Sequence, residues 1–308
     1  MNDRIRILHV YKDYPPILGG IENHIRWLST GEAARGHDVT VLVTNPAGGR
    51  TLDRDEEGVR VIRAGRLATI ASTPLSLALP RHLAIQHPDI VHLHFPYPVG
   101  EVSQWLLRKG GATVMTYHSD VVRQASILRF YRPLLLRVLA SVDAFIVGSP
   151  PMANSIYLRP HAQKTHFIPY GLPLERFRVA PGLAPMSRMM QRYWGSPARD
   201  RSVPLLLFVG RLRYYKGLDV LLRALVYLDA ELAVAGIGPM ADAWHELAAA
   251  LQIEHRVHWL GEVDDEDLPA LYHTADLFVL PASHPSEAFG FVQVEAMAAG
   301  LPVVSTEL

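Results

Sequence analysis

The 308-residue chain contains no cysteine. That absence excludes disulfides, thiol nucleophiles and cysteine-ligated zinc, and it fits a reducing compartment. Neither sign of charge is in excess, since Lys and Arg total 30 and Asp and Glu total 30. A balanced chain exerts no global pull on nucleic acid, so any anion site has to be built locally. No uncharged apolar run reaches the length of about 18 residues that a membrane span needs. The segment Met1–Tyr11 lacks the long apolar stretch and small-residue cleavage site of a secretory signal, and it reads as a strand. There is no short repeat and no low-complexity tract.

Apolar residues make up 49% of the chain, enough for substantial cores, and the length favours two domains. Short β-branched runs alternate with helical patterns from end to end. In the first half the runs are Ile5–Val10, Val39–Thr44, Val59–Arg63, Ile90–His94, Thr113–Tyr117, Ala144–Val147 and Thr165–Ile168. Helices are expected between many of them, such as Ile21–Arg35 and Leu134–Ser141. The second half repeats the pattern. Strands fall at Pro204–Val209, Glu231–Ala235, Arg256–Leu260, Asp276–Leu280 and Pro302–Ser305. Helices fall at Gly217–Leu228, Met240–Leu251, Asp265–Thr274 and Phe289–Ala299.

Such alternation indicates βαβ units and parallel sheets. The fold expected is α/β, with two doubly wound domains facing a cleft. Residues 1–170 form the first, 171–203 a linker region with a short helix around Met186–Trp194, and 204–308 the second. In sheets of this kind ligands bind at the carboxyl ends of the strands, at the switch point.

Candidate site residues gather at those ends. Glu287 and Glu295 stand eight residues apart, about 12 Å if the span is fully helical. Between them Phe289-Gly290-Phe291 opens a helix whose free amides and dipole favour a phosphate. Arg211 follows the strand that ends at Gly210, and Lys216 stands where the next helix begins. The fork of the one and the point charge of the other suit a pyrophosphate. Gly19 and Gly20 precede a helix after the first strand and allow close backbone approach. Glu22 in its first turn complements the helix dipole. His118 ends another strand, placed to hydrogen-bond a sugar hydroxyl.

Several features are assigned to structure instead. His92 and His94 alternate on one strand, but no third metal ligand is evident. Asp53-Arg54-Asp55 has a DxD spacing but sits among charges and reads as a solvated turn. Asp264–Asp267 reads as a helix cap. Gly236-Ile237-Gly238-Pro239-Met240-Ala241 matches GxGxxA, which on its own suggests a dinucleotide site. It follows the second strand of its domain, however, and Pro239 removes a donor. Arg129, Arg132 and Arg137 share one side of a helix. That face suits either an anionic membrane or plain solvent.

Taken together, Glu287-x7-Glu295 within EAFGFVQVEAMAAGLPVV, Gly210-Arg211 with Lys216-Gly217, Gly19-Gly20-x-Glu22 and His118 resemble the GT4 family of retaining glycosyltransferases. The resemblance covers nearly the whole chain. It implies a GT-B fold with two Rossmann-like domains, the first receiving the acceptor and the second holding a nucleotide-diphosphate-sugar. It implies that Arg211 and Lys216 stabilise the leaving diphosphate, that Glu287 contacts the donor sugar and that Glu295 binds the ribose. Phe289, Gly290 and Phe291 would contact sugar or phosphate through their amides. Gly261 to Val263 match the strip beside the base, and His118 would sit near the transferred sugar.

The resemblance also implies no cofactor and no catalytic metal, the nucleotide-sugar being a co-substrate. The glutamate segment is similar to mannosyl-type members, which points to GDP-mannose. The acceptor expected is a polysaccharide or glycolipid, at a cytoplasmic location that is compatible with peripheral contact to the inner face of the membrane. Tyr170-Gly171-Leu172-Pro173 departs from the family's usual Gly-Val-Asp. The family also continues well beyond Leu308, so the second domain is expected to be incomplete. Two other readings stay open: an inactive fragment or sugar-nucleotide-binding module, and an NAD-dependent oxidoreductase resting on Gly236 and Gly238.

Overall fold

The run Leu205–Val209 reads Leu-Leu-Leu-Phe-Val, and every residue in it is buried. A strand without polar alternation has to be covered on both faces, as parallel strands between helices are. A computed structural model describes residues 4–17, 19–70, 73–120, 125–196, 202–284 and 289–307. It divides into two units, Met1–Leu172 and Pro173–Leu308.

The strands of the first unit are β1 (Arg6–Val10), β2 (Asp38–Asn45), β3 (Leu52–Glu56), β4 (Val59–Gly65), β5 (Ala68–Ile70), β6 (Thr73–Leu75), β7 (Ile90–Phe95), β8 (Ala112–Tyr117), β9 (Ala144–Val147) and β10 (Thr165–Phe167). Its helices are α1 (Gly20–Ala34), α2 (Ala78–Ile85), α3 (Pro98–Leu107) and α4 (Ala125–Ala140). Eight strands form one sheet in the order β10-β9-β8-β7-β1-β2-β4-β3, and β5 and β6 form a separate hairpin. Every pairing in the large sheet is parallel except β3 with β4. Its core is built from residues such as Val41, Leu42, Val61, Val91, Met115 and Phe145.

The second unit has β11 (Leu205–Val209), β12 (Glu231–Ala235), β13 (Val257–Gly261), β14 (Leu277–Leu280) and β15 (Val303–Ser305). Its helices are α5 (Glu175–Arg178), α6 (Leu183–Trp194), α7 (Leu218–Leu225), α8 (Ala241–Ala250), α9 (Leu268–Thr274) and α10 (Phe291–Ala298). The sheet order is β13-β12-β11-β14-β15, all parallel. The chain order therefore reverses beside β1 in the first sheet and beside β11 in the second. Those switch points open crevices at the carboxyl edge.

Three expectations are corrected. Asp53, Arg54 and Asp55 lie in edge strand β3, not in a turn, and Asp53 pairs with Arg60 across the ladder at 2.7 Å. Cross-strand ion pairing lets a run of charges act as a strand, and charges at an edge also discourage further pairing. Residues 173–196, read as a linker, pack within the second unit. Phe177, Met189 and Met190 enter its core, an apolar spacing that the surrounding Pro and Arg residues masked. Asp264 and Asp267 precede α9 but make no side-chain cap bond. They pair instead with Arg192 on α6, at 2.6 and 3.2 Å, because α6 packs on α9. The basic helix runs unbroken through Pro133, with Leu135, Val138 and Leu139 buried and Arg132 and Arg137 exposed. Arg129 lies outside the described side chains.

Candidate functional site

In the second unit the site begins where β11 stops. Gly210 has φ 146°, and a Cβ there would lie 3.3 Å from both Cε and Nζ of Lys216. The lysine stem therefore lies over the glycine and carries its ammonium back to the strand end, leaving the residue only 8% exposed. Gly217 permits this return. It has φ 67°, and a Cβ would strike the carbonyl oxygen of Pro281, just after β14, at 1.9 Å. The loops following β11 and β14 are thus pressed together at the switch point, with a lysine between strand end and helix start. Arg211 stands beside it and is exposed.

α10 starts at Phe291 with Gly290 as its N-cap, in the left-handed region at φ 73°. The Phe289 and Phe291 rings flank that cap, their centroids 4.9 Å apart. One turn on, Glu295 is 7% exposed and accepts a 2.8 Å hydrogen bond from the Tyr272 hydroxyl of α9. Burial raises the Glu295 carboxyl above its ordinary value, and the tyrosine bond works against that rise. Gly261 ends β13 at φ 67° with open space where a Cβ would be, and Val263 packs partly against the core. Glu287 lies outside the described residues.

The GxGxxA segment is explained without a ligand. A Cβ on Gly236 would fall 2.1 Å from the Gly210 oxygen, and one on Gly238 would fall 2.4 Å from the Leu212 oxygen. The glycines let the loop after β12 lie against the loop after β11. Their neighbourhood's amides are spent inside the fold, Gly236 N on Gly261 O at 2.7 Å and Met240 N on Leu212 O at 3.1 Å.

In the first unit, Gly19 precedes α1 and Gly20 begins it. A Cβ on Gly19 would meet the Glu22 carboxylate at 2.1 Å, so that side chain folds back over the helix start. His118 follows β8 and is 2% exposed. Its Nε2 lies 3.1 Å from His94 Nδ1, and its Nδ1 lies 2.9 Å from the Tyr170 hydroxyl. Both ring nitrogens are therefore engaged within the unit.

Around it lies a group of side chains that the sequence analysis did not connect. His9 on β1 is in register with His92 on β7, so these rings share one face of adjacent parallel strands. The His92 and His94 rings stack at 4.5 Å, and His24 from α1 packs 4.3 Å from the Tyr170 ring. Burial lowers His24 to about 4, and pushes His92, His94 and His118 well below the ordinary histidine value. Two triads have nitrogens close enough to consider a metal, namely His9, His92, His94 and His24, His94, His118. The missed signal was the shared parity of His9, His92 and His94. The pairing of their strands was not readable locally.

Two parallel sheets, a lysine and a helix start at one switch point, and a buried imidazole at the end of another strand match one known architecture. Residues 18–176 match the family described as Glycosyltransferase Family 4, and residues 195–307 match that described as Glycosyl transferases group 1. The chain belongs to glycosyltransferase family 4. It is 36% identical to the D-rhamnosyltransferase WbpZ of Pseudomonas aeruginosa, over 99% of this chain and 78% of that one. It is also 36% identical to the O-antigen chain mannosyltransferase C of Escherichia coli, over 99% of this chain and 80% of that one.

Among solved structures, the sucrose-phosphate synthase of Thermosynechococcus elongatus superposes with a TM-score of 0.77 at 24% identity, covering 98% of this chain and 81% of that one. HepE of Anabaena, solved with UDP and glucose, gives 0.73 at 20% identity, covering 98% and 80%. The fold is GT-B, and the protein is a glycosyltransferase. Within this family-4 enzyme, no described helix is long and apolar enough to cross a membrane.

Proposed function

We propose that this glycosyltransferase moves a mannose-type sugar from a guanosine-diphosphate donor to a polysaccharide or glycolipid acceptor, with retention of anomeric configuration. The geometry behind the reading is the Lys216 ammonium laid over Gly210 at the end of β11, with α10 following β14, the strand next to β11 in the sheet. A fixed cation at a strand end stabilises charge developing on a departing diphosphate without reorganising. Arg211 adds a bidentate donor. Glu295 holds the ribose hydroxyls, the amides of Phe289, Gly290 and Phe291 meet phosphate or sugar, and Gly261 and Val263 border the base. Glu287 contacts the donor sugar, His118 borders it, and Gly19 and Gly20 let it approach the backbone of α1.

The sugar class comes from the relatives. One is named a D-rhamnosyltransferase, another an O-antigen mannosyltransferase, and a third, 29% identical, a GDP-mannose-dependent mannosyltransferase of Mycolicibacterium smegmatis. D-rhamnose is 6-deoxy-D-mannose, so the first two names share a ring configuration. With cations in the phosphate role, turnover should survive chelation of divalent metals. A cytoplasmic site of action, with the exposed Arg132 and Arg137 of α4 near anionic lipid, completes the proposal.

The test is calorimetry and donor hydrolysis with GDP-mannose, GDP-D-rhamnose, UDP-glucose and ADP-glucose. Tightest binding of a GDP-linked sugar is expected. Preference for UDP- or ADP-glucose would overturn the donor assignment, and binding of none would leave only the inactive-fragment reading.

A further inference from the structure

The buried polar side chains of the first unit form one continuous chain. Glu32 Oε2 lies 2.7 Å from His9 Nε2, and His9 Nδ1 lies 3.1 Å from His94 Nε2. His94 Nδ1 lies 3.1 Å from His118 Nε2, and His118 Nδ1 lies 2.9 Å from the Tyr170 hydroxyl. Each of the three imidazoles uses both ring nitrogens inside this chain. The members come from α1, β1, β7, the end of β8 and the end of the unit, so the fold, not local sequence, assembles them.

A neutral imidazole has one donor and one acceptor nitrogen, and a carboxylate only accepts. With His9 neutral, Glu32 takes its Nε2 proton and His9 Nδ1 accepts from His94 Nε2–H. His94 Nδ1 then accepts from His118 Nε2–H. His118 Nδ1 is left as an acceptor, which the Tyr170 hydroxyl satisfies. At the far end the backbone N–H of Gly148 bonds the Tyr170 oxygen, which agrees with the hydroxyl proton pointing to His118. Every proton in the chain then points toward Glu32, whose side chain is 20% exposed.

We infer that Glu32 is a positioning residue that sets, through His9 and His94, the tautomer in which His118 meets the donor sugar. The positioning role rests on the reading of His118 as a neighbour of that sugar. Its chemical consequence is specific. When the Tyr170 hydroxyl gives way, His118 offers a lone pair at Nδ1, so it selects a ligand group that donates, such as a sugar hydroxyl, over a carbonyl or carboxylate.

A metal ion is the competing use of these rings. In the triad of His9, His92 and His94 the stacking argues against it. His92 and His94 lie face to face at 4.5 Å and 20°, so their in-plane lone pairs run side by side instead of converging on one point. The 3.1 Å nitrogen contacts are already ordinary hydrogen bonds.

The experiment is two-bond proton–nitrogen NMR on protein labelled with 15N-histidine, joined to steady-state kinetics with the donor sugar that turns over. The wild type should show the Nε2–H tautomer at His9, His94 and His118. Glu32→Gln keeps an acceptor oxygen and should preserve that pattern and most of the turnover. Glu32→Lys offers a donor at the same place and should move His94 and His118 toward Nδ1–H. Its kcat should fall roughly 10- to 100-fold with a smaller change in KM.

Nδ1 protons on His94 and His118 in the wild type, the pattern a doubly protonated His9 imposes, would overturn the relay. So would metal-type ring shifts accompanied by stoichiometric bound metal, or an unchanged pattern in Glu32→Lys. A changed pattern with unchanged kcat would overturn the positioning role. Wild-type kinetics in His118→Ala would remove that role's target. The spectra, read without substrate, separate that outcome from failure of the relay.

Discussion

The Tyr272 hydroxyl donates a 2.8 Å hydrogen bond to Glu295, tying α9 to the second turn of α10. Burial alone pushes the Glu295 carboxyl upward, and Tyr272 restrains that rise. Removing the hydroxyl in Tyr272→Phe lets the carboxyl climb further. A ribose needs the ionised form as acceptor. Donor affinity should therefore fall about tenfold, the value of one charge-assisted bond, and fall more at pH 6 than at pH 8. Calorimetric titration of the nucleotide at both values checks this, and equal losses at both would contradict it.

Lys216→Ala should weaken diphosphate binding by roughly 10- to 100-fold, and Arg211→Ala should weaken it too. Gly210→Ala is the sharper test. Its Cβ would fall 3.3 Å from the lysine's Cε and Nζ at a φ of 146° that side chains avoid, so the ammonium has to move. We expect lost donor affinity with a retained circular-dichroism spectrum. Normal turnover in both Lys216→Ala and Arg211→Ala would place the diphosphate elsewhere. Glu295→Gln should reduce nucleotide affinity more than Glu287→Gln, and the reverse ranking would exchange their roles.

Gly238→Ala should destabilise the second unit by about 1–3 kcal/mol through overpacking, because its Cβ would collide with the Leu212 oxygen at 2.4 Å. Urea midpoints read this directly. The unmodified protein should show no NAD binding by fluorescence. Measurable NAD affinity would reopen the oxidoreductase reading.

Acid stability follows from the imidazoles. Folding lowers His24 to about 4 and holds His92, His94 and His118 well below 6.5. The unfolded chain binds protons at these groups before the native one does. Their stabilisation is complete above about 6.5 and is lost as pH falls toward 4, by up to about 1.4 kcal/mol per pH unit for each histidine. Urea midpoints of the first unit should drop steeply across that window. A flat profile would show that the rings are accessible to protons in the native state.

Glu101 has the opposite sign. It accepts from the Tyr97 amide and the Tyr131 hydroxyl, and burial raises it from 4.5 to about 7. Its native environment favours the protonated form, so its contribution is full below 4.5 and lost as pH rises through 7. Glu101→Gln can accept from the Tyr97 amide through its oxygen and donate its NH2 to the Tyr131 oxygen, without the charge. It should stabilise the protein by up to roughly 3 kcal/mol at pH 8 and by little at pH 5. Equal effects at both pH values would contradict the assignment.

Strand positions were legible because apolar runs are local. β9, for example, occupies Ala144–Val147 and β12 Glu231–Ala235, as read from the sequence. The helix at residues 183–194 was only partly visible, since Met186, Met189 and Met190 are spaced apolar residues among arginines and prolines. Strand β3 was hidden by its charges, of which Asp53 and Glu56 pair with Arg60 and Arg63 on the partner strand. Strand ends drew attention to Arg211, Lys216 and His118 as candidates. The reason for Gly210, and the partner of Glu295, required knowing which loop and which helix lie alongside.

The sequence by itself determined two parallel α/β units, the strand ends where chemistry gathers, and the glutamate segment that marks the family. Those properties depend on periodicity and neighbours a few residues apart. Only the tertiary structure decided which side chains His9, His94 and Glu32 meet. Their contact requires the register of β1 against β7, where His9 meets His92, and the seating of α1 over that face. Register between strands far apart in the sequence comes from packing across the whole sheet. The same packing leaves Tyr170 and Glu32 at opposite ends of one hydrogen-bonded chain.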